Sequence, residues 1–134
     1  MKTLLLIAIV SVTACSSATL RPIALHTGED ACAHCRMTIV STRTAAEIVS
    51  PGREPVVFDE LGCLRSYLKA EPMPDDGVIF VVDHRTGAWV DARQAVFTQT
   101  ETQTPMASGL LAHADAASRD ADPSAIGGKA VAFP

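Results

Sequence analysis

The segment CAHCRM, at positions 32 to 37, places two thiols, an imidazole and a thioether in one short stretch. Cys32 and Cys35 are separated by two residues, a spacing at which one turn brings both sulfurs to the same metal ion. Met37 follows, and a thiolate with a thioether is a ligand pair that suits Cu(I) better than Zn(II). The segment therefore predicts a site for a soft metal, with His34 as a nitrogen donor nearby.

The residues after Cys35 decide between this and other uses of the two thiols. Residues 37–40 read MTIV, an apolar, β-branched run that predicts a strand. Side chains alternate along a strand, so Cys35 and Met37 would share one face. A redox pair of the thioredoxin type normally begins a helix, whose dipole lowers the thiol pKa. A thiol-disulfide oxidoreductase using Cys32 and Cys35 remains an alternative, as does a structural domain with a disulfide or a zinc ion there.

Further soft donors lie later in the chain. Met106 stands between a proline and the flexible ASG sequence, which is a poor place for a core residue. Cys63 lies at the edge of an apolar helical stripe and is interpreted as a core thiol, with a role as secondary ligand kept open. His26 is another nitrogen donor near the motif, and His34 is kept as a possible secondary ligand. His84 and His113 are expected to be exposed or hydrogen-bonded rather than ligands.

The chain begins MKTLLLIAIVSVTAC, which has the layout of a secretory signal peptide over residues 1–14. The VTAC sequence resembles a bacterial lipobox, so Cys15 is predicted to be lipidated and to anchor residues 15–30 as a tether. Ordinary signal cleavage, with Cys15 left as a spare thiol, is the alternative. Because no acidic residue follows Cys15, we expect the anchor in the outer membrane, facing the periplasm.

Composition narrows the functional classes. The 134 residues contain 11 basic and 15 acidic side chains, a formal net charge of −4, which argues against binding to nucleic acid. Besides Cys15, the chain has three cysteines. An odd number in an oxidising compartment leaves one thiol unpaired in any intramolecular scheme, which favours a ligand role. No nucleophile with its base and no phosphate-binding loop is recognisable, so neither an enzyme nor a small-molecule substrate is predicted.

The predicted elements form two similar series. The first is strand, strand, helix, strand, with Asp59 as the helix cap and a partner strand at 88–92; residues 45–49 are ambiguous. The second repeats this order with a shorter helix. We therefore predict an α+β fold of two small strand-strand-helix-strand modules packed together, the first at 31–90 and the second, shortened, at 91–134. The expected elements are 37–41, 56–59, 60–70 and 77–83, followed by 95–100, 109–115, a short helix within 117–128, and 129–133.

Five short motifs together resemble the NosL family, lipoprotein copper chaperones that accompany nitrous oxide reductase, an enzyme of denitrification. They occur in family order across almost the whole mature chain. The motifs are the lipobox ending at Cys15, CAHCRM at 32–37, VFDELGC at 57–63, VVDHRTGAWVDARQAVF at 81–97 and TPMASG at 104–109.

The resemblance implies a fold shared with part of the organomercurial lyase architecture. It also implies binding of one Cu(I) in the periplasm and its transfer to the copper centres of nitrous oxide reductase or to the maturation machinery. The family's ligand positions fall on Cys32, Cys35, Met37 and Met106. This chain departs from the family in having Arg36 where a glycine is usual, and in its shortened second module.

Overall fold

The computed structural model describes residues 19–132. The predicted signal peptide, the lipidated Cys15 and the first residues of the tether lie outside this range, so they remain predictions. None of the helices in the described range is long and apolar enough to cross a membrane. The elements are β1 (Ala46–Val49), β2 (Val56–Phe58), α1 (Leu61–Ala70), β3 (Val78–Val82), β4 (Trp89–Asp91), β5 (Val96–Gln99), β6 (Leu110–His113), α2 (Ala116–Asp120), a 3-10 helix (Pro123–Ala125) and β7 (Lys129–Val131).

The first sheet is antiparallel, with the strand order β2-β1-β3-β4. Its inner strand β3 reads VIFVV, a composition that packs well in a buried sheet. Residues 45–49, which the sequence pattern left ambiguous, contain β1. This strand lies between β2 and β3, and its four residues are all buried. Helix α1 packs against β1 and β2 and buries Leu61 and Leu64. Strand β4 continues one residue past residue 90, where the first module was expected to end.

The second sheet has three antiparallel strands in the order β6-β5-β7. This repeats the β2-β1-β3 arrangement, because in both sheets the first strand of the unit lies between the other two. The connection to the last strand is the ten-residue α1 in the first unit, but the five-residue α2 and a 3-10 turn in the second. The predicted α+β class and tandem order are confirmed, and the likeness to organomercurial lyase remains a prediction.

One hydrophobic core joins the two units. Phe58 and Leu64 of the first unit belong to the same buried cluster as Phe97 and Leu110 of the second. Tyr67 of α1 packs edge-on against Phe58, with the ring centroids 5.1 Å apart. Because neither sheet is large enough to enclose a core alone, the shared burial explains why the modules pack together.

The sheets meet where β3 ends. Asp83 forms an isolated parallel bridge with Ala112 of β6. The buried Asp83 carboxylate accepts hydrogen bonds from the Thr86 and Ala114 N–H groups and from the Ser118 hydroxyl. Burial alone would raise the pKa of Asp83, but these hydrogen bonds lower it below its usual range. The ionised carboxylate therefore binds the turn after β3 to the second unit.

The prediction of a strand at 37–41 is wrong. Thr38 makes only an isolated bridge, and Arg36 has a left-handed φ of +66°. A left-handed residue interrupts the alternation of side chains that an extended chain would impose. The extended geometry that was expected to place Cys35 and Met37 on one face is therefore absent.

Glu47 is a charged residue in the buried strand β1. It is fully buried, and its position between Ala46 and Ile48 directs it to the opposite face of the sheet from those two residues. Its Oε1 accepts a hydrogen bond from the Ile23 N–H at 2.8 Å, which fastens the N-terminal segment to the sheet. Its Oε2 has no partner among the described residues. Burial raises the pKa of Glu47 to about 7, although the hydrogen bond from Ile23 lowers it.

Candidate metal centre

Three thiols and one carboxylate converge in the first unit. The Sγ atoms of Cys32, Cys35 and Cys63 and a carboxylate oxygen of Asp59 all lie within 4.8 Å of one another. Cys32, Cys63 and Asp59 are buried, whereas Cys35 is partly exposed. All three thiols are free, so each can bind a metal ion once it is deprotonated. We call these four residues the thiol cluster.

A tight turn positions Cys32 and Cys35. The Arg36 N–H donates to the Cys32 carbonyl at 3.0 Å, and the Cys32 N–H donates to the Met37 carbonyl at 2.9 Å. The Ala33 N–H donates to a carbonyl of β2 at 2.8 Å, which fastens the turn to the first sheet. These bonds hold both sulfurs on the same side of the turn, although Arg36 must adopt its left-handed φ to close it.

Replacing Arg36 with glycine should stabilise the protein. A left-handed φ is unfavourable for any residue with a Cβ, so glycine removes this strain from the folded state. The greater conformational freedom of glycine in the unfolded chain offsets part of the gain. We expect Arg36→Gly to raise the free energy of unfolding by about 0.5 to 1 kcal/mol, measured by urea denaturation of the reduced, metal-free protein. Ala33→Gly in the same turn is the control, because φ of Ala33 is not positive, and it should lower stability. Equal losses in both variants would contradict the assignment of strain to Arg36.

Asp59 and Cys63 reach the cluster from the start of α1. The N-cap is Glu60, without a side-chain capping bond, so the predicted capping role of Asp59 is wrong. Asp59 instead accepts a hydrogen bond from the Cys35 thiol, with Sγ and Oδ2 3.3 Å apart. Cys63 lies in the first turn of the helix, which begins at Leu61. The helix start therefore supplies one carboxylate and one thiol to the turn opposite.

The same helix start holds the loop that carries Met106. The Oε2 of buried Glu60 accepts a hydrogen bond from the Met106 N–H at 3.1 Å. Gly62 permits this close approach, since a Cβ at that position would lie 2.6 Å from the Cβ of Ser108. The second unit is therefore brought against the thiol cluster at a point where a larger side chain would force the loop away.

Met106 borders a cavity that also reaches the thiol cluster. This cavity, of about 290 Å³, is lined by Met106, His34 and Cys63, among others. The Met106 side chain is 49% exposed, so its thioether is not committed to the hydrocarbon core. Met37 is 44% exposed but is not among the lining residues. Met106 and Cys63 thus line the same cavity.

The electrostatics of the thiol cluster favour the protonated thiols of Cys35 and Cys63. Burial raises the pKa of Cys35, and hydrogen bonds with Cys32 and Asp59 add to this, while the Met37 N–H lowers it. Burial raises the pKa of Cys63 far above its usual range, and Asp59 adds to the shift. The Oδ1 of Asp59 is buried without a partner among the described residues. A bound cation would neutralise the carboxylate and displace the thiol protons.

The structure unites only part of the predicted ligand set. It brings Cys32 and Cys35 together and adds Cys63, which sequence assigned to the core. Met106 and His34 lie at the cavity that Cys63 borders. The exposed imidazole of His26 lies beside Asp30, with Nδ1 and the carboxylate 3.7 Å apart.

Two acidic residues of the site were missed as site residues. Asp59 and Glu60 stand in sequence between a strand and a helix, a position that indicates capping. Their burial, which only the structure shows, is the signal of a role in the site, because two adjacent acids are rarely both buried without partners. Met37 contacts the cluster through its backbone. Its carbonyl accepts a hydrogen bond from the Cys32 N–H, and its N–H hydrogen-bonds to Cys35.

The fold and the cluster together define a small α+β protein with a thiol-rich candidate metal centre. The chain belongs to the NosL family, whose family model, described as NosL, matches residues 22–134. This membership places the chain with metal-binding proteins rather than enzymes. A comparison with curated protein sequences gives no significant match.

A solved structure has the same fold. The crystal structure of the copper chaperone NosL from Shewanella denitrificans matches with a TM-score of 0.67, covering 84% of this chain and 92% of that chain. The two sequences are 19% identical. At this identity the similarity concerns the arrangement of helices and strands.

Proposed function

We propose that the protein is a copper chaperone, which binds Cu(I) as cargo and passes it to a partner without catalysing a reaction. The observation that carries the proposal is the convergence of three free thiols in a member of the NosL family. Thiolates are soft ligands that Cu(I) prefers. The similar Shewanella protein is named a copper chaperone, which supports the same cargo here.

The proposed ligands are Cys32, Cys35, Met37 and Met106, with Cys63 as a further thiolate. The shared cavity supports Met106, because Met106 and Cys63 both line it. Met37 is supported by its exposed side chain and by its place next to the turn that holds Cys32 and Cys35. The ligands would come from both units. Binding of Cu(I) would therefore stabilise the packing of the two units against each other by linkage.

The difference in burial between the thiols suggests how cargo leaves. Cys32 and Cys63 are almost fully buried, whereas Cys35 is partly exposed and Met106 about half exposed. An incoming Cys, Met or His of a partner could bind the ion from the open side while the buried thiolates still hold it. Transfer would then proceed by ligand exchange, with no oxidation and no free ion.

The oxidoreductase interpretation finds less support. An enzyme of that class uses a thiol with a lowered pKa, commonly at a helix N-terminus. Here burial raises the pKa of Cys35, and Cys32 and Cys35 lie in a turn rather than at the start of a helix. Cys35 therefore lacks both features that would activate it as a redox thiol.

The finer part of the proposal concerns place and recipient. We propose that Cys15 carries a lipid anchor, that the protein faces the periplasm from the outer membrane, and that the recipient is nitrous oxide reductase or its maturation machinery. The lipobox sequence supports the anchor, and the family resemblance supports the recipient. Mass spectrometry of the membrane-extracted protein tests the anchor, since Cys15→Ser should abolish the lipid adduct.

The cargo can be tested against zinc, because three thiols and a carboxylate also suit Zn(II). We would titrate residues 16–134, reduced and metal-free, with Cu(I) and with Zn(II) in separate competitions against coloured chelators. We expect Asp59→Asn to weaken Zn(II) binding by about 10- to 100-fold and Cu(I) binding much less, because a carboxylate is a hard ligand.

Two outcomes would contradict the proposal. One is displacement of Cu(I) by equimolar Zn(II), which would make the site structural. The other is disulfide reductase activity that survives removal of both Met37 and Met106, which would favour the oxidoreductase. Glu29→Gln is the control for loss of one negative charge, because Glu29 is exposed and outside the cluster.

A further inference from the structure

A second cluster of metal-binding side chains lies at the junction of the two units. His84 follows β3, His113 ends β6, and Asp122 precedes the 3-10 helix. One ligand atom from each of the three lies within 4.8 Å of the other two. The cluster shares no residue with the thiol cluster. The histidines were expected to be exposed or hydrogen-bonded, and both are hydrogen-bonded to the same carboxylate.

The geometry converges on one point. The Nδ1 of His84 lies 2.7 Å from the Oδ2 of Asp122, and the Nε2 of His113 lies 2.9 Å from the same oxygen. The other oxygen, Oδ1, accepts a hydrogen bond from the Ser124 N–H at 2.9 Å. That bond orients the carboxylate and leaves Oδ2 to the two imidazoles, as an outer partner orients a ligand in many metal sites.

The backbone around the three residues is fixed. The His84 N–H donates to the Ala112 carbonyl at 2.9 Å, and the His84 carbonyl accepts from the Arg43 guanidinium at 2.7 Å. His113 pairs with Val96 in the second sheet. Ligands carried on rigid elements need little reorganisation when an ion binds, which is the condition for a useful site.

We propose that His84, His113 and Asp122 form a second metal site, which binds a divalent ion of the Zn(II) type and is separate from the thiol cluster. Two imidazoles and a carboxylate are donors that suit Zn(II), whereas Cu(I) is drawn to the thiols. Water would complete the coordination, since residues 19–132 supply three protein ligands at this point. This inference goes beyond the proposed chaperone function and does not depend on it.

The change needed to admit the ion is small. Ligand atoms around a tetrahedral Zn(II) lie roughly 3.3 Å apart, given metal-ligand bonds of about 2.0 Å. The contacts of 2.7 and 2.9 Å to Asp122 would open by a few tenths of an ångström, and the two imidazole nitrogens, which lie within 4.8 Å of each other, would settle at the same separation. Each imidazole would give up its N–H at the ion and carry the proton on its other ring nitrogen.

The exposure of the three side chains shows how an ion would enter the site, and the buried ring of His113 shows what binding would cost. The His84 side chain is 18% exposed, while Asp122 is 5% and His113 0% exposed. An ion would therefore enter past His84, whereas His113 forms the inner wall. The Nδ1 of His113 is buried without a partner among the described residues. Within residues 19–132, the Nδ1 atom of His113 has no hydrogen-bond partner in either tautomer of the ring. Binding of an ion at Nε2 therefore adds no further unpaired atom to the ring.

The test uses residues 16–134, reduced and metal-free, titrated with Zn(II) against a coloured indicator. We expect the wild type to bind one more equivalent than His84→Gln or Asp122→Asn. Co(II) bound at this site should show ligand-field absorption without the thiolate charge-transfer band that marks the thiol cluster. His26→Gln is the matched control, because this exposed imidazole also lies beside a single aspartate, and its stoichiometry should equal that of the wild type.

Thermal unfolding separates a metal site from a hydrogen-bonded clasp. In a metal site, Zn(II) raises the melting temperature of the wild type more than that of His84→Gln. If His84→Gln lowers the melting temperature but Zn(II) stabilises both proteins equally, the three residues are only a clasp and the proposal is overturned. Equal stoichiometry in the wild type and both cluster variants would overturn it as well. Failure here leaves Cu(I) binding by the thiol cluster intact.

Discussion

Cys35→Ser is expected to weaken Cu(I) binding by about 100- to 1000-fold, since each thiolate ligand contributes several kcal/mol to the binding of a soft metal ion. Cys35 is the most informative thiol because it is partly exposed, so serine there should leave the fold intact. Its Sγ lies within 4.8 Å of the ligand atoms of the other three cluster residues. Competition with a Cu(I) chelator measures the change, and circular dichroism checks the fold.

The two exposed methionines test whether thioethers complete the site. Leucine has nearly the volume of methionine but no sulfur, so Met106→Leu preserves packing while removing the donor. We expect Met106→Leu and Met37→Leu each to weaken Cu(I) binding by about 10-fold, which corresponds to about 1.4 kcal/mol. Met73→Leu is the matched control, because Met73 packs against the hydrophobic core and should not change affinity. Unchanged affinity in both test variants would refute the thioether ligands.

The second large effect concerns pH and the buried Glu47. The carboxyl has an ordinary pKa of 4.5 and a pKa of about 7 in the folded protein, raised by burial. Between these values the folded state holds a proton that the unfolded state has lost. The contribution of Glu47 to the free energy of unfolding is therefore fully present below about pH 4.5. It falls as the pH rises towards 7, by about 3 kcal/mol in all.

Glu47→Gln isolates this contribution. Glutamine cannot ionise, and its amide oxygen can accept the hydrogen bond that Ile23 donates. Urea denaturation at about pH 5 and about pH 8 should show a loss of stability in the wild type that is larger than in the variant by about 2 to 3 kcal/mol. The buried Asp122 has a pKa of about 2, so it titrates below this window. An identical pH dependence in both proteins would contradict a raised pKa for Glu47.

Much of the architecture follows from local patterns in the sequence. Apolar runs such as VIFVV at 78–82 are short and rich in β-branched residues, which favours a strand over a helix, and they became strands. The helical spacing of Leu61 and Leu64 produced α1, with both residues buried. The double occurrence of strand, strand, helix, strand predicted the tandem units. These are short-range signals, so no partner had to be known to interpret them.

Local patterns were insufficient where backbone closure or long-range burial decided the outcome. Residues 37–40 have the composition of a strand, but the left-handed Arg36 turns the chain back and only one bridge forms. Asp59 has the sequence position of a helix cap. In the structure it accepts a hydrogen bond from the Cys35 thiol and belongs to the thiol cluster. Contacts with residues distant in sequence overrode the local preference in both cases.

The sequence by itself determined the kind of chemistry, because two cysteines in a CxxC spacing followed by a methionine make a soft donor set wherever they fold. The tertiary structure alone decided which donors meet. It brought Cys63 of α1 to the turn at 32–35 and brought the loop of Met106 against Glu60. It also placed His84, His113 and Asp122 around one point. Such convergence depends on how two sheets pack over a shared core, and no spacing within a single element encodes it.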